Sequence, residues 1–450
     1  MAAGVPTVSA RALRVMLLDG EELALLDVRE ERIFSESHLL FARSLPLSRL
    51  ELRMARLIPR RTARIVLVDA ADGLAERAAR VLASASYSDL RILDGGIAAW
   101  AAAGFELFSG VNVPSKAFGE LVEHERETPS ISAQELDALM RSGTDMVVLD
   151  SRPFDEYSRV SIPTSVDVPG AELVLRVHDI APKTETLVVV NCAGRTRSII
   201  GAQSLINAGV PNKVVALRNG TMGWSLAGFK PDSGKNNRAP DVSDGGLAWA
   251  KSAAERVAGK LGIRSIDENT LASFRADATR TLYVFDVRDP AEYAAGHVAG
   301  ALSAPGGQLV QATDQYAGTL HARIVLIDDK EARAVMTASW LRQMGWRDVF
   351  VLVAEAGGAV LGYAYAGLEG NDWMALRGPA GVIYDLVVDP GHRQEGLGRM
   401  LLQAMLKALA DRGAPRVLLS TATRNETAQR LFTAAGFRPT MIEMTRERSE

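Results

Sequence analysis

Leu187-Val-Val-Val-Asn-Cys-Ala-Gly-Arg-Thr-Arg-Ser198 is the stretch from which the rest of the chain can be read. Its first half is a short β-branched run, the pattern of a strand buried in a parallel sheet. Its second half is small and basic, and Ser198-Ile-Ile-Gly-Ala-Gln-Ser-Leu205 then starts an apolar periodicity of helical type. The spacing predicts a strand ending at Asn191, a tight loop, and a helix. Cys192, the single cysteine of the chain, falls in that loop. Backbone amides of such a loop, with the helix N-terminus behind them, form an anion site, and Arg195 and Arg197 add positive charge. A thiol placed there is expected to be reactive. A lone cysteine is more often a small buried hydrophobe, but a strand interior or an apolar helix face would suit that role better than a loop with two arginines.

The opening of the same region recurs. Leu25-Leu-Asp-Val-Arg-Glu30, Val148-Leu-Asp-Ser-Arg-Pro153 and Val284-Phe-Asp-Val-Arg-Asp289 share an Asp-x-Arg signature at Asp27, Asp150 and Asp286. Each is followed by a helical turn and then by a second strand: Ile65-Val-Leu-Val-Asp69, Leu187-Val-Val-Val-Asn191 and Ile324-Val-Leu-Ile-Asp328. The first two copies close alike, with Gly95-Gly-Ile-Ala-Ala-Trp-Ala-Ala-Ala-Gly-Phe105 and Asn219-Gly-Thr-Met-Gly-Trp-Ser-Leu-Ala-Gly-Phe229. Strands alternating with helices at this spacing predict parallel α/β sheets. Residues 109–130 and 230–240 have linker compositions, and 247–261 reads as an amphipathic helix leading into the third copy. Asp150 and Arg152 read as a structural ion pair at a strand end.

Composition bounds the rest. The 450 residues carry a net charge of −3, with 47% hydrophobic and 23% charged residues, as in an ordinary soluble protein of about three domains. That balance gives no reason to expect nucleic acid or a membrane surface as a partner. One cysteine excludes an internal disulfide and suggests a reducing compartment. The start of the chain lacks a signal-peptide pattern, no stretch is long enough for a membrane span, and the six histidines show no metal spacing. A cytoplasmic protein without a bound metal is the expectation.

The Asp-x-Arg openings, the Gly-Gly…Trp…Gly-Phe closings, Glu292-Tyr-Ala-Ala-Gly-His-Val-Ala-Gly-Ala301 and the Cys192 loop together resemble the rhodanese family of sulfurtransferases, over roughly residues 5–352. The resemblance implies three rhodanese-like α/β repeats, at 1–108, 128–230 and 263–352, the third incomplete at its C-terminal end. Aligning strand ends places Ala70 and Asp329 opposite Cys192, so only the second repeat keeps a nucleophile. The others are then scaffold, substrate-shaping or docking modules for a protein partner. The resemblance assigns Cys192 and Arg197 as catalytic, with Ala193, Gly194, Arg195 and Thr196 binding the substrate. It needs no cofactor for sulfur transfer. The partners implied are a small-molecule donor of thiosulfate or persulfide type and a thiol or cyanide acceptor.

Such a loop serves double displacement. A thiolate takes a sulfane sulfur, holds it as a persulfide and hands it on. Cysteine phosphatases use similar parts but place five residues between cysteine and arginine. Here four residues, Ala193 to Thr196, separate Cys192 from Arg197, which favours sulfur over a tetrahedral phosphate. The glycine that the common rhodanese loop carries three residues after its cysteine is replaced by Arg195, with Gly194 one place earlier. Val160-Ser161 replaces the usual Gly-His, so no histidine assists.

After Val351 the pattern changes. A strand–turn–strand is expected in Ala354–Gly367, then the strand Val382-Ile-Tyr-Asp-Leu-Val-Val-Asp-Pro390, the turn Gly391-His-Arg-Gln-Glu-Gly-Leu-Gly398, a helix Arg399–Arg412, a strand Arg416–Ser420 and a helix Arg424–Phe432 before Gly436-Phe437. This region, 353–450, resembles a GNAT-superfamily N-acetyltransferase domain that lacks its opening strand and helices. The resemblance implies acetyl-CoA as a cosubstrate, held by Leu386, Val388, Arg393, Gln394, Gly396, Gly398, Arg399 and Asn425. The glycines would let backbone amides approach a pyrophosphate at a helix N-terminus. Phe432 stands where many members carry a tyrosine that protonates the leaving thiolate, and Glu395 sits beside the expected pyrophosphate, so binding of acyl-CoA with weak or no turnover is expected. Asp385 is a candidate base. At the junction, either the two parts share one hybrid sheet or the chain is a recombined or mis-assembled gene product. Rival readings are an acetyltransferase whose repeats recruit substrate, and a non-catalytic persulfide carrier.

Overall fold

The computed structural model describes residues 5–352, 362–369, 379–388, 397–421 and 425–439. It divides into two compact units, Met1–Ala354 and Glu355–Glu450.

In the first unit the same five-strand order occurs three times. Repeat one runs Thr7–Val8, Leu90–Leu93, Ile65–Val68, Leu23–Asp27, Arg43–Ser44. Repeat two runs Ser130–Ile131, Val214–Leu217, Leu187–Asn191, Met146–Asp150, Val166–Asp167. Repeat three runs Arg264–Ile266, Val349–Leu352, Arg323–Ile327, Leu282–Asp286, Leu302–Ser303. All neighbours within these five-strand sets are parallel. The central strands are continuous apolar runs because helices cover both faces of each sheet. Local signals agree with the helices that follow. Ser132 and Glu135 form a capping box on Ala133–Arg141, and Asp289 and Glu292 form another on Pro290–Ala295.

The Asp-x-Arg signature has one job in all three copies. Arg29, Arg152 and Arg288 each grip the aspartate two residues earlier through Nε and Nη2, at 2.6–2.9 Å. The same Nη2 donates to a carbonyl eight residues on: Ser37, Val160 or Gly296, at 2.6–2.7 Å. The pair thus ties a strand end to the return after the next helix, which is the structural role the sequence suggests. The closing tryptophans Trp100 and Trp224 are buried and donate through Nε1 to the carbonyls of Glu106 and Lys230.

Repeat three holds the unit together. Its strand Thr319–Leu320 adds antiparallel to Leu23–Asp27 of repeat one. The buried Tyr283 hydroxyl donates to Leu57 O at 2.6 Å and accepts from the amides of Gly318 and Thr319. Glu22 of repeat one receives Arg280 and Thr281 of repeat three. Toward repeat two, helix Asp244–Leu261 packs on both Glu172–Ile180 and Ala332–Gln343, and one continuous apolar core runs through repeats two and three.

Two expectations change. Residues 109–130 are not a loose linker: Val113–Arg126 is a 14-residue helix that packs on Thr196–Ala208. Its mixed composition misleads because one side faces the protein and the other water. The hybrid sheet is also absent among the described residues. Repeat three completes its own five strands through Leu352, and the second unit has a separate three-stranded sheet. In that sheet Gly362–Glu369 runs antiparallel to Ala380–Val388, which is parallel to Val417–Leu419. Helices Leu397–Asp411 and Glu426–Ala434 accompany it, with Ile383, Leu402, Leu409 and Phe432 buried between them. No helix among the described residues is long and apolar enough to cross a membrane.

Candidate functional site

Strand Leu187–Asn191 delivers Cys192 to the C-terminal edge of its sheet, and helix Thr196–Ala208 begins four residues later. The thiol is buried, at 1% exposure. The loop is buttressed from the side by the closing segment. Thr221 donates to Cys192 O from both its amide (2.8 Å) and its hydroxyl (3.2 Å), and Met222 N–H donates to Ala193 O at 3.0 Å. Gly220 permits this approach. Its φ is +52°, and a Cβ there would stand 2.1 Å from Cys192 O and 2.8 Å from Gly194 O. Neither Gly220 nor Thr221 was singled out from sequence, although the repeated Gly-Gly…Trp closings contain them. Behind the cysteine, Asn191 Nδ2 donates to Asp150 Oδ2 (2.8 Å) and Thr221 Oγ1 (3.2 Å).

The three sheets give an internal comparison. In the ladder between the first and second central strands, Asp150 lies opposite Asn191, Asp27 opposite Val68, and Asp286 opposite Ile327. The next residues, Cys192, Asp69 and Asp328, are therefore equivalent. This corrects the alignment by strand ends, which selects Ala70 and Asp329. The apolar run ends one residue earlier in repeat two, where the polar Asn191 takes the last strand position that Val68 and Ile327 fill in the other two.

Both aspartates turn their carboxylates into the loop. Asp69 accepts from the amides of Ala71 and Ala75 at 2.9 Å each. Asp328 accepts from Lys330, Arg333 and Ala334 at 3.1, 2.8 and 3.3 Å. The corresponding amides around Cys192 belong to Gly194, Arg197 and Ser198. Among the described residues, the amides of Ala193 to Ser198 donate to no protein acceptor. The loop in repeat two is thus an amide cradle without an internal anion.

Each loop arginine has a carboxylate. Arg197 makes a two-pronged pair with Glu156, 2.8 Å on each side. Burial opposes its charge, but Glu156 more than compensates, with Cys192 and Asp150 adding to the same side, so its pKa is raised. Glu156 is correspondingly lowered: burial acts upward, and Arg197 outweighs it. Arg195 is exposed and pairs with Glu120 (3.0 Å) and Glu123 on helix Val113–Arg126. Repeat three repeats the first arrangement. Arg333, five residues after Asp328 as Arg197 is after Cys192, bonds Asp328 and Glu292, and Glu292 is the counterpart of Glu156. Thr196 packs against Gly119, where a Cβ would meet its Cγ2 at 2.8 Å.

In the second unit, Arg393, Gln394 and Gly396, with Glu395, lie outside the described residues. Gly398 sits at the start of helix Leu397–Asp411, and a Cβ on it would lie 3.6 Å from Val388 Cγ2 and 4.0 Å from Leu386 Cδ2. These three predicted residues therefore meet where strand and helix converge. Arg399 is exposed. Asn425 caps helix Glu426–Ala434, its side chain accepting from Ala428 N–H. Phe432 is a core residue, packed edge-on against Phe437, and Asp385 is exposed.

Comparison with known proteins follows this division. Residues 9–103, 132–227 and 270–354 match the rhodanese-like domain, together more than half of the chain. Residues 314–437 match the acetyltransferase (GNAT) family. The two matches overlap, and there the sheet topology assigns strands Arg323–Ile327 and Val349–Leu352 to repeat three. The fold is similar to that of thiosulfate sulfurtransferase from Pseudomonas aeruginosa, with TM-score 0.76 and 53% identity over 78% of this chain and 67% of that one. Two curated relatives are mycothiol acetyltransferases, from a Nocardioides species and from Thermobispora bispora. They are 32% and 38% identical over 23% and 19% of this chain. The chain spans only 36% and 28% of their lengths. The chain belongs to the rhodanese-like domain family and carries a C-terminal domain of the GNAT acetyltransferase family.

Proposed function

We propose that the chain is a sulfurtransferase that moves sulfane sulfur through a persulfide on Cys192. The Cys192 thiolate attacks the outer sulfur of a donor such as thiosulfate. The donor S–S bond breaks and sulfite leaves with the electron pair. The terminal sulfur of the persulfide carries the negative charge, and the amides of Gly194, Arg197 and Ser198 stabilise it. A nucleophilic acceptor then attacks that sulfur, the bond to Cys192 breaks, and the thiolate is restored. With cyanide the product is thiocyanate. Arg197 stabilises the anionic states while Glu156 fixes its orientation. Arg195 steers a donor only as far as Glu120 and Glu123 allow.

The observation that carries this reading is the internal comparison. Cys192 occupies the position at which Asp69 and Asp328 fill the loop with a carboxylate, and in repeat two the amides stay open. A thiolate or persulfide is the anion that would complete it. The identity to a thiosulfate sulfurtransferase supports the choice of donor. The test is thiocyanate formation from thiosulfate and cyanide. Wild-type turnover with loss of at least about 10³-fold in Cys192→Ser is expected for removal of a covalent nucleophile. Equal activity in the two proteins would refute the reading.

For the second unit we propose acyl-CoA binding. The convergence of Leu386, Val388 and Gly398 at a helix start supports it, since backbone there can approach a pyrophosphate closely. Gly396, Arg393, Gln394 and Arg399 would complete the contact. The cosubstrate would supply the acyl group. Calorimetric titration of the full chain with acetyl-CoA should give saturable heat that coenzyme A competes away, and no heat would contradict it.

A further inference from the structure

The cysteine-bearing repeat differs from the other two at another point on the same sheet edge. Strand Val166–Asp167 pairs with Met146–Asp150, and Asp167 lies opposite Asp150. The equivalent residues are Ser44 and Ser303, opposite Asp27 and Asp286. Asp167 is 5% exposed, yet its Oδ1 has no hydrogen-bond partner among the described residues. A buried acceptor left this way is costly and calls for a ligand or water.

The segment that follows repeat two crosses this residue. Asp167 N–H donates to Asn237 O at 2.8 Å, and Ala239 N–H donates to Asp167 O at 3.2 Å. Between them Arg238 is exposed and stacks on Phe154, its guanidinium carbon 3.6 Å from the ring centre. Phe154 is also peculiar to this repeat, since the same offset from the Asp-x-Arg aspartate gives Glu31 and Pro290. Among the described residues, Arg238 makes no ion pair of the kind that occupies Arg195 and Arg197. The stacking holds its planar fork ready for a carboxylate. Burial, with Asp150 and Asp289 reinforcing it and Arg238 and Arg152 opposing, pushes Asp167 up to about 7. Near neutrality much of it is protonated, so it neither cancels Arg238 nor repels an anion, and its O–H can donate.

Phe154 precedes Glu156, the partner of Arg197, by two residues, so this group borders the Cys192 site. Asp167 and Cys192 end strands two positions apart, about 10 Å at the usual inter-strand spacing. Thiosulfate is much too short to span that. A tripeptide-sized molecule, at roughly 3.3 Å per residue, spans it.

We propose that Arg238, Phe154 and Asp167 form a rim site for the carboxylate end of a small peptide thiol whose sulfur reaches Cys192 as the sulfur acceptor. The acceptor thiolate would attack the outer sulfur of the Cys192 persulfide. The S–S bond to Cys192 breaks, Cys192 leaves as thiolate, and the acceptor departs as a persulfide. This step rests on the sulfur-transfer reading, whereas the binding site itself does not.

The test is calorimetric titration of the full chain, in the Cys192→Ser background, with S-methylglutathione, which has carboxylates but no titrating thiol. Saturable binding is expected. Arg238→Ala should weaken it about tenfold, the scale of one charge-assisted carboxylate contact. Arg238→Lys, which keeps the charge and loses the fork, should recover part of it. Lys235→Ala on the same segment serves as the charge control, and its affinity should stay within about twofold. Binding should tighten from pH 8 to pH 6, as Asp167 gains its proton among Asp150, Arg152, Asp289 and Arg238. Asp167→Asn should flatten that trend. Absence of binding, equal weakening by Lys235→Ala, or indifference to Arg238→Ala would overturn the rim site. Cys192-dependent turnover of thiosulfate would survive any of those results, and its absence would refute the sulfur-transfer reading while leaving the titration to decide the rim site.

Discussion

Cys192 is chemically distinct because of what its two counterparts do. Asp69 and Asp328 each place carboxyl oxygens among the loop amides, so the cradles of repeats one and three are already filled from within. The sequence makes Cys192 legible as the one sulfur in a basic loop. It does not make the two aspartates legible, because only the ladder register shows that they share its position. The loop glycines divide in the same way. Gly194 has open space around it, whereas Gly220, twelve residues beyond the end of helix Thr196–Ala208, is the one the cysteine backbone leans on. Gly220→Ala must push two carbonyls aside and hold a strained φ. We expect thiosulfate turnover to fall about 10²-fold, the usual cost of an ångström-scale misplacement. Turnover within twofold of wild type would show that the closing segment does not set the loop.

Elements were legible where periodicity and punctuation agree. The β-branched runs Leu187–Asn191, Ile65–Val68 and Arg323–Ile327 are central strands, as their composition requires. Helix Val113–Arg126 was not, because polar residues dominate it and its role is tertiary. It presents Glu120 and Glu123 to Arg195 and Gly119 to Thr196. The segment 230–240 has a linker's composition and yet pairs with Ser161 and Asp167. Asp167 gives this element a pH signature. Its pKa is raised from 3.8 to about 7 in the folded chain, so the folded state holds a proton that the unfolded state has lost between those values. That contribution is fully present below about pH 4 and is lost as pH rises to about 7. The difference in melting temperature between wild type and Asp167→Asn should therefore change in the wild type's disfavour from pH 5 to pH 8. A constant difference would mean that Asp167 is ionised throughout.

At the scale of the molecule, repeat three, one of the two without a nucleophile, is the one that joins the others. Arg333, fully buried, bonds Asp328, Glu292 and Asp329 in its own repeat and Glu172 of repeat two at 2.8 Å. Glu292 is held down to about 2, where burial alone would raise it, chiefly by Arg333. Arg333→Met would leave these carboxylates facing one another and should cost about 3–5 kcal/mol, the range for breaking a buried ion cluster. An unchanged denaturation midpoint would contradict that. The same geometry explains why a cysteine-free repeat is built into the unit: its pseudo-site is a structural charge cluster. Whether sulfur passes through repeat two alone is decided most directly by intact-mass spectrometry of the full chain after incubation with thiosulfate and removal of excess donor. One added sulfur atom per chain is predicted, located on the peptide that contains Cys192, removed by cyanide and absent from Cys192→Ser. A wild-type chain that gains no sulfur, or a Cys192→Ser chain that gains one, would contradict the account.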